Sequence, residues 1–166
     1  MHFLPYLVAL LTVLSRIPVA HSLTVVDESS SNLARWKEKW DTNTIGWHAD
    51  DINDAIKVHG DKLLKAHDSC TVDMRVFVPL CGKSLDVAFF AQHADVTEVV
   101  GVDGIKKALL EFADEHPDLD LKEMAPTKSY EVLKGNKITL LKGDFFELDD
   151  VATGGKFAAV YDRASL

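Results

Sequence analysis

Short apolar runs alternate with amphipathic stretches along the chain from about residue 75 onward. The runs are rich in Val, Ile and Phe, which favours buried strands, whereas the stretches between them repeat apolar residues at helical spacing. Strands that alternate with helices predict an α/β domain, with a parallel sheet wound by right-handed crossovers. The predicted strands are 75–80, 96–102, 137–142 and 156–161. The predicted helices between them are 84–93 and 105–115, the second of which ends before Pro117.

Two further helices are predicted before the first strand. Leu33, Trp36 and Trp40 lie on one face at helical spacing, so the first helix should begin near Leu33. Residues 41–46 break this pattern. The second helix is predicted over residues 51–67, where the apolar stripe is irregular.

The N-terminal segment differs in character from the rest of the chain. Residues 3–14 are almost entirely apolar but are too few to span a bilayer comfortably. Residues 20–22 then fit a small-x-small cleavage pattern. We therefore predict a secretory signal peptide cleaved after Ser22, or an anchor over residues 1–22, followed by a polar linker over residues 23–32. A misassigned start codon is the alternative.

Charge and cysteine content narrow the classes of function. The net charge is −8, so we expect no nucleic-acid surface, since such a surface needs clustered Lys and Arg. Cys70 and Cys81 do not make a disulfide framework, and the seven histidines show no metal-binding spacing, so no metal is expected. Cys81 has no histidine partner in the sequence and is predicted to be a small core residue rather than a nucleophile.

Candidate chemistry lies where the first two predicted strands end. In an open parallel sheet, ligands bind beyond the carboxyl ends of the strands, near the point where the strand order reverses. Gly82 allows the backbone to approach a ligand closely, and Ser84 can cap the helix that follows. Asp103 follows Gly82 by about 20 residues, a spacing that suits a carboxylate bound to ribose hydroxyls.

The turn at Gly82 lacks the further glycines of a dinucleotide site. The second glycine of G-x-G-x-x-G is the one that admits a pyrophosphate, so its absence favours a nucleoside ligand without phosphates, such as S-adenosylmethionine. The alternative from these residues alone is a tight turn, with Gly82 as a packing residue and Asp103 as a solvated loop acid.

Five motifs resemble those of thiopurine S-methyltransferases, in the order and spacing of that family. The most specific is VFVPLCGKS over residues 76–84, which resembles the family's PLCGK signature. The others are the tryptophan-rich segment 36–48, the strand 99–103, the segment 143–148 and the stretch 155–166. The resemblance implies the Rossmann-like, doubly wound sheet of class I methyltransferases. Residues 33–166 would supply the N-terminal helices and only the first four strands of that domain.

The resemblance also implies a cofactor, a reaction and several site residues. It implies S-adenosylmethionine, with methyl transfer to the sulfur of a small thiol or thiopurine-like acceptor. Leu80, Gly82 and Asp103 would hold the methionine and ribose portions of the cofactor, and Asp144 and Phe145 would flank its adenine.

Arg163 is implied to lie near cofactor and substrate, where it would position them and favour a bound thiolate. The resemblance implies that Trp36, Trp40 and Trp47 form a lid over the pocket. An aromatic face also favours a sulfonium cation, by roughly 0.5–2 kcal/mol. The alternative for Trp36 and Trp40 is packing that docks their helix on the domain. His48 is expected to be structural and to lie outside the site.

Glu147, Asp149 and Asp150 are expected to form a solvated acidic turn.

Further expectations concern the location, the oligomeric state and the function of the whole protein. The resemblance implies a cytoplasmic protein that is monomeric when complete, whereas the leader predicts the secretory pathway or membrane anchoring. Two other functions stay open, a non-catalytic remnant that binds the cofactor weakly or not at all, and a nicotinamide-dependent oxidoreductase, which the missing glycines disfavour.

Members of the family continue through further strands and helices, so we expect an incomplete domain. Without them the strand 156–161 would be an open apolar edge, a known route to aggregation. Residues 23–166 alone are therefore predicted to be poorly soluble or partly unfolded, with no methyl transfer to thiopurine or thiophenol acceptors. Size-exclusion chromatography, a thermal melt and a transfer assay test this. A monodisperse, cooperatively melting fragment with turnover would contradict it.

Overall fold

A computed structural model describes residues 28–65 and 73–163, so the predicted leader over residues 1–22 lies outside the described residues. The helices are α1 (Glu28–Asp41), α2 (Asp54–Lys65), α3 (Leu85–Gln92), α4 (Lys106–Glu115) and α5 (Asp150–Thr153). The strands are β1 (Arg75–Val78), β2 (Glu98–Asp103), β3 (Lys122–Met124), β4 (Glu131–Gly135), β5 (Ile138–Lys142) and β6 (Ala159–Val160). Among these helices none is both long and apolar enough to cross a membrane.

The strands form one six-stranded sheet in the order β3-β4-β5-β2-β1-β6. β1 pairs in parallel with both β2 and β6, and β2 pairs in parallel with β5. These four strands are the ones that the hydrophobic pattern predicts, so the predicted parallel α/β sheet is confirmed. The chain runs from β1 through β2 to the edge strand β3 and comes back through β4 to β5. It then crosses to the other side of β1, so the strand order reverses between β1 and β6.

β3 and β4 lie outside the predicted strands, and they correct the expected number of strands from four to six. They form an antiparallel hairpin, and β4 pairs in antiparallel fashion with β5, so the sheet is mixed. Every residue of β3 is exposed, and in β4 only Leu133 is buried. A solvated edge hairpin of this kind has little of the apolar alternation by which a strand is recognised in a sequence.

The N-terminal helices differ from the prediction at their ends. α1 begins at Glu28 rather than at Leu33 and so extends into the predicted linker, because its Ser and Asn residues disfavour a helix only modestly. α2 begins at Asp54 rather than at residue 51, because the side-chain oxygen of Asn53 accepts the N–H of Ala55 at 2.9 Å and caps the helix. The predicted continuation of this helix to residue 67 lies outside the described residues.

Both faces of the sheet are covered by apolar side chains. Val76 and Val78 of β1 pack on one face with residues of α2, α3 and α4. Phe77 points to the other face, where it packs with Phe145 and Phe157 from the segment between β5 and β6. Burial on both faces explains why β1 and β2 are continuous apolar runs rather than alternating ones.

β2 approaches the turn after β1 most closely at Gly101. A Cβ atom at this position would lie 2.8 Å from Cys81 Sγ and 2.9 Å from Leu140 Cδ2. The absence of a side chain at Gly101 therefore leaves room for Cys81, whose side chain packs the turn against the sheet. This contact fixes the position of the turn relative to β2.

We predict that Gly101→Ala lowers the free energy of unfolding by about 1–3 kcal/mol, because an added methyl group overpacks this contact. Gly46→Ala is the matched control, since a Cβ atom there would meet nothing within 4 Å, and its effect should stay within about 0.5 kcal/mol. Chemical denaturation of the full-length protein measures both. Equal stability of the two variants would contradict the close approach of β2 to the turn.

Candidate functional site

A cleft with a volume of about 920 Å³ opens beyond the carboxyl ends of the parallel strands. Residues that follow β1, β2, β5 and β6 line it, together with residues of α1 and of the loop after α1. This is where ligands bind in open α/β sheets. The structure brings together in this cleft all the site residues put forward from the sequence, although their contact with a ligand remains a prediction. They are Trp36, Trp40, Trp47, Leu80, Gly82, Asp103, Asp144, Phe145 and Arg163.

The turn after β1 contains two residues with left-handed backbone, Leu80 with a φ of 44° and Gly82 with a φ of 52°. Glycine adopts this conformation freely, but for Leu80 it costs on the order of 1 kcal/mol. The N–H of Cys81 donates to the carbonyl of Val102 at 3.0 Å and so holds the turn against β2. The Leu80 side chain is 42% exposed and lines the cleft. Backbone strain of this kind is concentrated at ligand sites.

Asp103 ends β2 and joins it to the turn after β1. Its Oδ2 accepts the N–H of Gly82 at 2.8 Å, and its Oδ1 accepts the N–H of Ile105 at 2.8 Å. Burial raises the pKa of the Asp103 carboxyl, whereas the two N–H donors lower it. The alternative of a solvated loop acid is wrong, because Asp103 is only 8% exposed. Each carboxylate oxygen keeps a further lone pair, so Asp103 can still accept two hydroxyl groups of a ligand.

Trp40 packs on the turn after β1 and docks α1 on the domain. A Cβ atom at Gly82 would lie 3.4 Å from Trp40 Cζ2, so the ring lies directly beside the glycine. The Trp40 side chain is buried, and its carbonyl accepts Lys107 Nζ of α4 at 2.7 Å. The packing alternative therefore holds for Trp40, which at the same time lines the cleft.

Trp36 and Trp47 lie at the surface of the cleft instead. Their side chains are 46% and 39% exposed, and their ring centroids are 5.0 Å apart at an interplanar angle of 88°. Lys39 Nζ lies 4.5 Å from the Trp36 centroid and 5.1 Å from the Trp47 centroid. This placement of an ammonium group indicates that the two rings provide negative faces to which a cation is attracted.

Asp144 and Phe145 follow β5, and hydrogen bonds and ring stacking fix their positions. Asp144 Oδ1 accepts the N–H of Phe146 at 2.9 Å, and the Asp144 carbonyl accepts the hydroxyl of Tyr130 at 2.8 Å. Phe145 is half-buried and stacks on Phe77 at a centroid distance of 6.3 Å. A Cβ atom at Gly143 would lie 2.4 Å from Tyr130 Cδ1, so the glycine allows this segment to lie flat against the Tyr130 ring.

Arg163 follows β6 and lies close to two other elements. Its Nη1 is 3.7 Å from Asp86 Oδ2 of α3, and its Nη2 donates to the carbonyl of Trp47 at 3.5 Å. Tyr161 also lines the cleft and donates its hydroxyl to Asp86 Oδ2 at 2.9 Å. Sequence reasoning missed Asp86 and Tyr161. The signal in the sequence is that Asp86 is the one charged residue of α3, whose other residues are apolar except for Gln92.

His48 lines the cleft beside Trp47, although the sequence placed it outside the site. Burial lowers the pKa of its imidazole, and the positive charge of Lys83 lowers it further. Lys83 itself stays charged, because Glu115 and Glu111 lie 2.7 Å and 3.1 Å from its Nζ and hold its pKa above the usual value. His48 is therefore neutral at neutral pH and can accept a hydrogen bond from a group in the cleft.

The remaining predictions at the site concern a thiol and an acidic turn. Cys81 is buried, and burial together with the negative charge of Asp103 raises the pKa of its thiol well above the usual value. A buried neutral thiol is a poor nucleophile, so the prediction of a core residue is confirmed. Glu147, Asp149 and Asp150 are exposed as expected. Asp149 also caps α5 by accepting the N–H of Ala152 at 2.7 Å.

Comparisons with known proteins agree with these features. A family model for thiopurine S-methyltransferase matches residues 31–166. The thiopurine S-methyltransferase of Pseudomonas aeruginosa (strain UCBPP-PA14) is 39% identical over 135 residues, which cover 79% of this chain and 56% of that protein. The proteins of that name from Shewanella sp. (strain MR-7) and Pseudomonas putida (strain ATCC 700007) are 34% and 36% identical, over 79% and 80% of this chain and 56% and 57% of their own lengths. The chain thus spans a little over half the length of the curated relatives that it matches.

Proposed function

Because this chain belongs to the thiopurine S-methyltransferase family, we propose that the whole protein transfers a methyl group from S-adenosylmethionine to the sulfur of a small thiol or thiopurine-like acceptor. One observation carries the proposal. The buried Asp103 carboxylate binds the N–H of Gly82 at 2.8 Å, beside a cleft of about 920 Å³ at the carboxyl ends of the strands. A carboxylate in this position suits ribose hydroxyls, and a turn with a single glycine suits a ligand without a pyrophosphate.

The donor set of the cleft fits the nucleoside part of S-adenosylmethionine. Asp103 retains lone pairs for the two ribose hydroxyls. Asp144 and Phe145 lie together after the neighbouring strand β5, where they would flank the adenine. Leu80 and Gly82 would border the methionine portion through the exposed side of their turn.

The tryptophans fit the positive charge of the donor. Trp36 and Trp47 already have Lys39 Nζ within 4.5 Å and 5.1 Å of their ring centroids. A sulfonium is a cation of similar charge and weaker hydration, and its attraction to such rings is worth roughly 0.5–2 kcal/mol. Trp40 would contribute by fixing the position of α1 over the Gly82 turn.

When bound, S-adenosylmethionine supplies a methyl group on a positively charged sulfur that needs no further activation. The residues of the chain therefore have to hold and orient the two reactants and exclude water, which alone accounts for large rate enhancements. Arg163 lines the cleft, where it would stabilise negative charge on an acceptor sulfur that has lost its proton to solvent and would align that sulfur for attack. Direct transfer of the methyl group between the two sulfurs would need no covalent enzyme intermediate, so the chain would not have to supply a nucleophile.

A direct assay distinguishes this proposal from its alternatives. The full-length protein is incubated with S-adenosylmethionine carrying an isotope-labelled methyl group and with a thiopurine or thiophenol, and the methyl thioether is measured by mass spectrometry. Labelled thioether formed in proportion to S-adenosylhomocysteine supports the proposal. Binding of S-adenosylhomocysteine without transfer would instead support a non-catalytic remnant, and a spectroscopic change of NADH with a small carbonyl substrate would support an oxidoreductase.

We predict that Asp103→Ala weakens the binding of S-adenosylhomocysteine by about 1–3 kcal/mol, because two ribose hydroxyls lose their acceptor. The same substitution leaves the N–H groups of Gly82 and Ile105 without partners, so calorimetric titration must be paired with a thermal melt. Asp103→Asn keeps the shape and one acceptor oxygen and should show a smaller loss.

Asp114→Asn is the matched control for these titrations. It removes one negative charge from an exposed position of α4 and should leave the affinity unchanged. Equal affinity of the wild-type protein and Asp103→Ala would exclude Asp103 from the site.

A further inference from the structure

Asp86 is a buried carboxylate that the proposed chemistry does not use. It is the second residue of α3, and its side chain is 1% exposed. Its Oδ1 accepts the N–H of Asn53 at 2.8 Å, and its Oδ2 accepts the hydroxyls of Ser84 at 3.1 Å and of Tyr161 at 2.9 Å. Asp86 therefore joins three separate parts of the chain, which are the residue before α2, the start of α3 and the residue after β6.

A buried charge of this kind is costly unless a cation compensates for it. Arg163 supplies that cation, with Nη1 3.7 Å from Asp86 Oδ2. Tyr161 cannot share the negative charge, because burial and the hydrogen bond to Asp86 raise the pKa of its phenol, which stays protonated as a donor. Arg163 therefore offsets the charge of Asp86, and Asp86 in return restricts where the guanidinium can lie.

The guanidinium has a second contact that links this pair to the aromatic side of the cleft. Nη2 of Arg163 donates to the carbonyl of Trp47 at 3.5 Å, and the Arg163 side chain is 26% exposed. Arg163 is therefore held by two groups at once, each on a different nitrogen. One is the fixed carboxylate of Asp86, and the other is the loop that carries Trp47 and His48.

We propose that Asp86 is a positioning residue, which acts through Arg163 to align an acceptor sulfur with the methyl donor and to hold the Trp47 loop at the cleft. This inference rests on the proposed function for its chemical part. A purely structural brace would use the hydrogen bonds from Asn53, Ser84 and Tyr161 and would not need the charge of Asp86.

Asp86→Asn separates the two roles, because an asparagine keeps the shape and can keep the three hydrogen bonds. Its amide oxygen can accept the N–H of Asn53, and its NH₂ group can donate to the hydroxyls of Ser84 and Tyr161, which rotate to accept. What the variant lacks is the anion that faces Arg163. A structural role predicts unchanged turnover, whereas a positioning role predicts a loss in kcat/KM for the thiol acceptor.

The experiment is a double-mutant cycle in the full-length protein. We expect Asp86→Asn and Arg163→Gln each to lower kcat/KM for a thiopurine by roughly 10- to 100-fold, the scale that follows from misplacing a reacting group. The double variant should be no slower than Arg163→Gln alone, because Asp86 acts only through Arg163. Asp114→Asn, an exposed neutralisation of equal charge, should match the wild type. Multiplied losses in the double variant, or unchanged kcat/KM in Asp86→Asn, would overturn the proposal.

Arg163→Lys provides a second route if Asp86→Asn does not fold. A lysine keeps a cation for Asp86, but its single amino group does not reproduce two contacts through two separate nitrogens. We expect this variant to melt like the wild type and to have the low kcat/KM of Arg163→Gln. Wild-type turnover in Arg163→Lys would overturn the proposal.

A measurement that needs no ligand tests the proposed role of Asp86 independently of the proposed methyl transfer. Amide hydrogen exchange over residues 45–50 should become faster in Asp86→Asn and in Arg163→Lys, because the contact from Arg163 to the Trp47 carbonyl is loosened. A wild-type protein that transfers no methyl group would refute the proposed function, while faster exchange would still support the link from Asp86 to the loop. Unchanged exchange in both variants would refute the link itself.

Discussion

The cleft depends on the Asp103 carboxylate, which accepts the backbone N–H groups of Gly82 and Ile105 at 2.8 Å each. These two bonds tie the turn after β1 to the exit of β2, so the two strand ends cannot move apart without leaving buried polar groups unpaired. This turn also fixes the position of Trp40, whose ring lies beside Gly82. Through Trp40 it fixes the position of α1. A single buried anion thus sets the positions of the strand ends and of the helix over them, and it keeps lone pairs free for a ligand.

Asp86 has a comparable role at β6, but it is compensated differently. The Asp103 carboxylate is stabilised by the backbone N–H groups of Gly82 and Ile105, whereas Asp86 is paired with the guanidinium of Arg163. A backbone-bound carboxylate suits the recognition of a fixed nucleoside. Under the proposed function, a carboxylate paired with an arginine would suit the alignment of an acceptor sulfur, since the guanidinium carries several donors in a fixed geometry.

The parallel strands and the residues at their ends could be predicted from the sequence, and the contacts between distant segments could not. β1 and β2 can be recognised in the sequence because burial on both faces makes them continuous apolar runs. Gly82 and Asp103 can be recognised because they follow these strands, at the edge of a parallel sheet where ligands bind. The β3–β4 hairpin does not stand out, since its residues are mostly exposed. Asp86 looks in the sequence like an acid that complements the start of a helix. Its partners Asn53 and Tyr161 are far away in the chain, so its burial is not visible in the local sequence.

Calorimetric titration of the full-length wild-type protein with S-adenosylhomocysteine and, separately, with NAD tests the central claim most directly. We predict saturable binding of one S-adenosylhomocysteine per chain and no binding of NAD, because a turn with a single glycine at Gly82 favours a nucleoside without a pyrophosphate. Saturable binding of NAD, or no binding of S-adenosylhomocysteine by a folded protein, would contradict it.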